Sequence, residues 1–150
     1  GVVVFYVTNR TAELEAATQA NLVAYGFDTE HHMAGDLLLM RGERPEWDTS
    51  DKEPRRAFVR ENYRVILYVG DNLGDFVSGE DADLEARKTL VAPYEKLWGR
   101  RWLMLPNPTY GSWEGALYDF DYALPIDSVR AMKLRQLQTL RDAADWQPGF

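Results

Sequence analysis

A run of β-branched and aromatic residues, Val65-Ile-Leu-Tyr-Val69, stops at Gly70-Asp-Asn72, and a second carboxylate, Asp75, follows Asp71 by four residues. So apolar a run suits a central strand covered on both faces, and open α/β sheets place their ligands at the carboxyl ends of such strands. A helix starting near Asn72 would bring Asp75 back toward Asp71 on one side of the turn. Two converging carboxylates repel each other unless something positive lies between them. Magnesium answers that need, because it prefers carboxylate oxygens and keeps positions open for water and phosphate. The bland alternative is an ordinary turn and helix start, where acidic residues favour the helix dipole.

The rest of the chain fits around that strand as alternating strands and helices. Val2 to Val7 reads as a buried strand, and Thr8-Asn-Arg-Thr11 as the turn that caps a helix from Ala12 to Tyr25. That helix is expected to turn Leu14, Ala17, Leu22 and Tyr25 to the core and to stop at Gly26. Asp36 to Met40 is a further short strand, and Arg41 to Asp51, with Pro45, a loop. Pro54 suits the first turn of a helix from Glu53 to Glu61. Glu80 to Glu85 is a solvated loop or helix start, and Leu84 to Trp98 is helical with a break at Pro93. Arg101 to Leu105 is a strand, Tyr110 to Gly115 a loop that approaches a ligand closely, and Asp127 to Ala143 a helix capped by Asp127. The pattern predicts a parallel α/β sheet with flanking helices.

With 150 residues, the chain is one domain's worth, able to bury roughly 70% of its unfolded surface. Seventeen basic against 24 acidic residues leave a net charge of −7, which argues against nucleic acid as a partner, since that requires a basic stripe. A small phosphorylated ligand needs only a local positive site. Cysteine is absent, so disulfides, thiolate catalysis and cysteine-ligated zinc are excluded. The apolar runs fall far short of the ~20 residues that span a bilayer. The chain opens inside an apolar segment without an initiator methionine, and is expected to be the middle of something longer.

Three short segments can be assembled around a phosphate. Thr8 ends the first expected strand, so its hydroxyl and the following backbone amides either donate to phosphate oxygens or merely cap the helix. Lys52, at the mouth of a helix, either adds a compact positive charge or is a solvated surface lysine. Asp71 and Asp75 would hold the metal. Asn72 either orients the metal loop or tolerates an unusual backbone angle. Tyr110 and Trp113 either stack on a substrate group or pack under their loop. His31 and His32 are adjacent and point to opposite faces of a strand, which reads as structural.

Val4-Phe-Tyr-Val-Thr-Asn-Arg10, Val65 to Phe76 and Leu105-Pro-Asn-Pro-Thr-Tyr-Gly-Ser-Trp-Glu-Gly115 together, in this order, resemble the class C acid phosphatases. These are bacterial nonspecific phosphatases and 5′-nucleotidases of the haloacid dehalogenase (HAD) superfamily. The resemblance implies a Rossmann-like HAD fold and magnesium-dependent hydrolysis of nucleotides or other small phosphomonoesters through an aspartyl-phosphate. It implies Thr8 and Asn9 as phosphate and substrate binders, Lys52 as the lysine of the third motif, with Arg55 and Arg56 close by, and Asp71 with Asp75 as the acidic metal pair. Asn72 and Tyr110 would contact substrate. It also implies an exported, often lipid-anchored protein.

The family's nucleophile and general acid lie in an Asp-x-Asp motif on a first strand. Here the only such spacings are Asp81-Ala-Asp83, in an acidic loop, and Asp119-Phe-Asp121, read as surface or turn residues. The expectation is therefore a HAD core lacking its first catalytic strand, with the nucleophile upstream and this chain inactive alone. Such a fragment would pair with another copy or with the missing segment. The alternatives are a noncatalytic module for association or ligand binding, and an intracellular relative acting on sugar phosphates.

Overall fold

The computed structural model describes residues 1–27, 30–31 and 35–142. His32 and Ala143, named above, lie outside the described residues. The chain divides into two compact units, Gly1–Tyr68 and Val69–Phe150.

In the first unit, strand β1 (Tyr6–Thr11) is followed by a single 3-10 turn and helix α1 (Glu15–Ala24). A minimal antiparallel pair, β2 (Glu30–His31) and β3 (Gly35–Asp36), leads to β4 (Leu38–Arg41). β1 pairs in parallel with β4, Tyr6 opposite Leu38 and Val7 opposite Leu39. The strand therefore starts four residues later than the sequence suggests and runs through the expected turn. Val2 and Val4 are exposed, whereas pairing with the buried Leu38–Met40 segment holds Tyr6 and Val7 extended. Thr8 consequently sits inside β1. Three residues of β1, Thr8 to Arg10, face the single residue Met40 between the paired positions Val7–Leu39 and Thr11–Arg41, which makes this stretch a bulge.

Helix α1 ends as expected at Gly26, whose φ of 82° only glycine adopts freely. Its inward face differs from expectation. Leu14 and Tyr25 are exposed, Tyr25 by 83%, and the buried residue is Thr18, whose hydroxyl oxygen accepts from Arg10 Nη1 at 3.4 Å. The inward position of α1 is thus polar rather than part of an apolar stripe.

A buried Trp47 closes the loop after β4, and helix α2 (Glu53–Asn62) carries Pro54 in its first turn as the sequence predicts. Leu39, Trp47 and Val59 form the core with Phe5, Val7, Phe58, Tyr63 and Val65 packed against them. The Trp47 and Phe58 rings meet edge-on at 5.5 Å, and the Arg44 guanidinium lies 4.4 Å from each ring centroid, a favourable cation–π geometry.

The run from Val65 to Val69 does not form the long, doubly covered strand expected. β5 is only Tyr68–Gly70, and Ile66, Leu67 and Val69 are 48, 44 and 52% exposed. Among the described residues its one ladder partner is β6 (Trp102–Met104), so extended pairing persists only where β6 runs alongside. In the second unit the chain continues through a 3-10 turn, Leu73–Asp75, to α3 (Leu84–Val91), with Asp83 as its cap, and a 3-10 stretch carrying Pro93. Phe76, Trp98 and Trp102 pack against one another, with the exposed Tyr94 ring on Trp102, at centroid distances of 4.8 to 5.5 Å.

After β6, the last four residues of the expected Tyr110–Gly115 loop are helical, since Ser112–Gly115 forms α4. The last helix, α5, is Ile126–Asp142, and Asp127 lies in its first turn rather than at the cap. Ser128 N–H bonds instead to Pro125 O at 2.9 Å.

Candidate active site

The site residues fall into two groups, one in each unit. Thr8, Asn9 and Lys52 belong to the first; Asp71, Asn72, Asp75 and Tyr110 belong to the second.

In the first group, the β1 bulge sets Thr8 beside a tight local bond in which its Oγ1 accepts from Arg10 N–H at 3.2 Å. The hydroxyl proton is left for an outside acceptor. Asn9 is tied on both sides of its amide: Nδ2 donates to Ser50 O at 2.8 Å, and Oδ1 accepts from Arg55 Nη2 at 2.7 Å. One Asn9 amide proton remains beyond these bonds. Lys52 is the cap residue of α2 and carries no side-chain capping bond. A cation at a helix amino terminus opposes the dipole, so helix stability does not explain its position.

Arg55 organises this group. It projects from α2 on the same face as Val59, is wholly buried, and donates to Thr8 O, Asn9 Oδ1 and Asp51 O, with Thr49 O at 3.4 Å. One guanidinium thus clamps the bulge of β1 to the loop that delivers Lys52. Burial lowers its pKa from the ordinary guanidinium value, while the Asp51 and Glu43 carboxylates oppose that shift. In the sequence Arg55 stands out only as a neighbour of Lys52. Its spacing from Val59, i and i+4 on one helix face, was the available signal.

In the second group, Asn72 caps the short turn Leu73–Asp75 with extended dihedrals, φ −134° and ψ 150°, so no unusual backbone angle is involved. Asp75 Oδ2 accepts from Asp71 N–H at 3.0 Å and Asn72 N–H at 2.9 Å, and the Asn72 side chain accepts in return from Asp75 N–H, a reciprocal capping box. The i, i+4 spacing does fold Asp75 back, but onto the backbone amides of Asp71 and Asn72. Gly70 makes room for this, since a Cβ there would lie 2.5 Å from Asp75 Oδ2 and 2.6 Å from its Cγ.

Asp71 keeps an exposed carboxylate, whose Oδ2 accepts from Asn107 Nδ2 at 2.8 Å. Asn72 Oδ1 also accepts from Ser112 Oγ at 2.5 Å, and Arg87 Nη1 donates to that same Oγ at 3.1 Å and to Glu80 O. Burial lowers the Arg87 pKa, with Glu80 opposing. Asn107, Ser112 and Arg87 were all missed in the sequence, where nothing marks a long-range side-chain bond. Tyr110 projects into solvent, 68% exposed. An open cleft of about 600 Å³ is lined by Asp71, Asn72, Arg87, Asn107, Trp98 and Trp113, together with Met104 to Pro106 and Pro108.

No three acidic or imidazole side chains converge among the described residues. The donors on offer are thus one or two carboxylates, the small number magnesium accepts when water and phosphate complete its octahedron. Asp71 fits such an ion. Asp75, with Oδ2 on two amides, shapes the turn that presents it. One carboxylate of each Asp-x-Asp spacing serves local structure: Asp83 Oδ1 caps α3 through Ala86 N–H at 2.8 Å, and Asp121 Oδ1 accepts from Ala123 N–H at 3.0 Å, two residues after Asp119 with its left-handed φ of 53°.

Residues 1–113 match the family described as HAD superfamily, subfamily IIIB (acid phosphatase), a span that holds every site residue named above. Among solved structures, the chain is similar to the class C acid phosphatase from Bacillus anthracis, with 28% identity and a TM-score of 0.70 over 87% of this chain and 52% of that one. A second structure of the Bacillus anthracis class C enzyme, with tungstate bound, matches with 27% identity, a TM-score of 0.70 and the same coverage. The chain spans about half the length of these structures. Its mixed α/β architecture of small sheets and flanking helices, including the parallel β1–β4 pair, matches their fold.

Proposed function

Since this chain belongs to the acid phosphatase family, subfamily IIIB of the HAD superfamily, we propose that it forms part of a magnesium-dependent, extracytoplasmic phosphatase that hydrolyses nucleotides or other small phosphomonoesters through an aspartyl-phosphate. The observation that carries this reading is the Gly70–Asp75 turn. Its capping box puts Asp75 Oδ2 on two backbone amides and leaves the carboxylate of Asp71 at the surface, held by the neutral donor Asn107.

In this reading Thr8 donates its spare hydroxyl proton to a phosphoryl oxygen, and Asn9 holds the adjoining backbone in place through Ser50 and Arg55. Lys52 balances the phosphoryl charge as a point cation. Asp71 ligates the ion, and Asp75 fixes the loop from which it does so. Tyr110 and Asn72 border the leaving group. Magnesium, when bound, neutralises phosphoryl oxygens and so lowers the barrier to attack on phosphorus. The attacking aspartate is assigned to residues outside this chain, because neither Asp-x-Asp pair within it follows an apolar strand, and Asp83 and Asp121 are engaged in a helix cap and a turn. The tungstate bound to the Bacillus anthracis enzyme is a tetrahedral oxyanion like phosphate, which supports a phosphoryl pocket in the fold this chain shares.

The test is steady-state hydrolysis of p-nitrophenyl phosphate and nucleoside monophosphates by the full-length protein, with and without magnesium. Asp71→Asn and Lys52→Met are each expected to lower kcat by about 100-fold or more, the usual loss when one transition-state charge partner is removed. Full activity in Asp71→Asn, or indifference to chelators, would sink the proposal.

A further inference from the structure

Asn107 has its two amide ends on different partners. Nδ2 donates to Asp71 Oδ2 at 2.8 Å, while Oδ1 accepts from Thr109 N–H at 3.2 Å and Tyr110 N–H at 3.3 Å. A carboxylate only accepts and a backbone amide only donates, so the chemistry of the partners fixes the orientation of the amide. One side chain therefore joins the exposed carboxylate of the acidic turn to the backbone that carries Tyr110.

A second tie lies close by in sequence. Ser112 donates to Asn72 Oδ1 and is itself held by Arg87 Nη1. Both bonds bridge the segment after β6 to the turn after β5, and both donors flank Tyr110. Asp71 would otherwise be an exposed side chain free to rotate about two bonds, at an entropic cost to any ligand that must fix it.

We infer that Asn107 is a positioning residue that presets the Asp71 carboxylate for a divalent cation and couples it to the Tyr110 segment, so that cation binding and the placement of Tyr110 are linked. This rests on the reading of Asp71 as a metal ligand given above. Outer partners that orient a ligating carboxylate typically carry 10–100-fold in metal affinity. Asn107 would act in this way without touching the ion.

The test measures Mn²⁺ affinity by electron paramagnetic resonance, alongside KM and kcat for a nucleoside monophosphate, in the full-length protein. Asn107→Ser keeps a short acceptor for the Thr109 and Tyr110 amides, as serine turns do, but cannot reach Asp71. It is expected to weaken Mn²⁺ binding about 10-fold with the thermal midpoint unchanged. Asn107→Ala loses both ends, and is expected to match that loss of affinity and to raise KM as well. Wild-type Mn²⁺ affinity in a folded Asn107→Ser protein, with binding still lost in Asp71→Asn, would overturn the inference and leave the metal reading standing. Unchanged Mn²⁺ binding in Asp71→Asn would overturn both.

Discussion

At the scale of single residues, Gly70 and Asp75 form one device. The Asp75 carboxylate folds over Gly70 to reach the amides of Asp71 and Asn72, so any side chain at position 70 competes for the same space. Gly70→Ala is expected to expel Asp75, break the capping box and destabilise the fold by about 1–3 kcal/mol, as overpacking generally does. Urea unfolding measures the loss. Asp75→Asn retains one carbonyl oxygen to accept and should be milder. If Gly70→Ala is as stable and as active as the wild type, the close approach is not needed. The position of Asp71 at a strand end was legible in the sequence, as was the return of Asp75 toward it. What Asp75 bonds to was not, because i, i+4 spacing says that two residues meet and not whether side chain meets side chain or backbone.

At the scale of elements, α2 does two things with its arginines. Arg55 faces inward and clamps Thr8, Asn9 and Asp51. Replacing it with methionine keeps the apolar stem but orphans those acceptors, at about 1–3 kcal/mol for each that stays dry. A loss of at least about 2 kcal/mol by urea unfolding is expected, together with a raised KM as the Thr8 bulge and the Lys52 loop come apart. Arg56 and Arg60 instead converge on Glu53, with Arg56 Nη2 at 2.9 Å from Oε2. Burial pushes the Glu53 carboxyl up, but hydrogen bonds from Arg60 and Arg56 outweigh it and hold the group below the usual carboxylate range. A carboxylate with a lowered folded pKa stabilises the fold above its unfolded value of about 4.3, and loses that contribution as pH falls through the folded value. Glu53→Gln should therefore be less stable than wild type near pH 7, by less than ~1 kcal/mol given its exposure. The gap should close at strongly acidic pH, in matched denaturant titrations. The helix itself was legible from Pro54 and its flanks. That Arg55 and Arg56 are both buried while Arg60 is not was not, since three guanidinium groups on one helix look alike until neighbouring groups supply acceptors.

At the scale of the whole molecule, alternating apolar runs and helices revealed the α/β class, and three segments in order carried the family resemblance that the match over residues 1–113 bears out. Strand limits were less legible. Val2 to Phe5 and Val65 to Leu67 have strand-like side chains, yet a strand exists only where a neighbouring backbone pairs with it, and that is a non-local fact. The same reasoning yields a prediction for the chain by itself. Neither of its Asp-x-Asp pairs follows an apolar strand, and Asp83 and Asp121 are engaged in a helix cap and a turn, so the isolated 150-residue chain is expected to hydrolyse p-nitrophenyl phosphate only at background rates. Robust magnesium-dependent turnover abolished by Asp71→Asn would reveal a nucleophile within it.

The bulge in β1 has a further consequence. Between two paired positions, Thr8, Asn9 and Arg10 face only Met40, so the chain gives up regular ladder bonds at the one place where the proposed phosphoryl group would supply acceptors. An oxyanion seated there would act as a piece of the sheet, and ligand binding would become folding stability through simple linkage. Amide exchange at Thr8 and Asn9 should then slow on adding orthophosphate, while exchange at Leu38 and Leu39 in β4 stays unchanged.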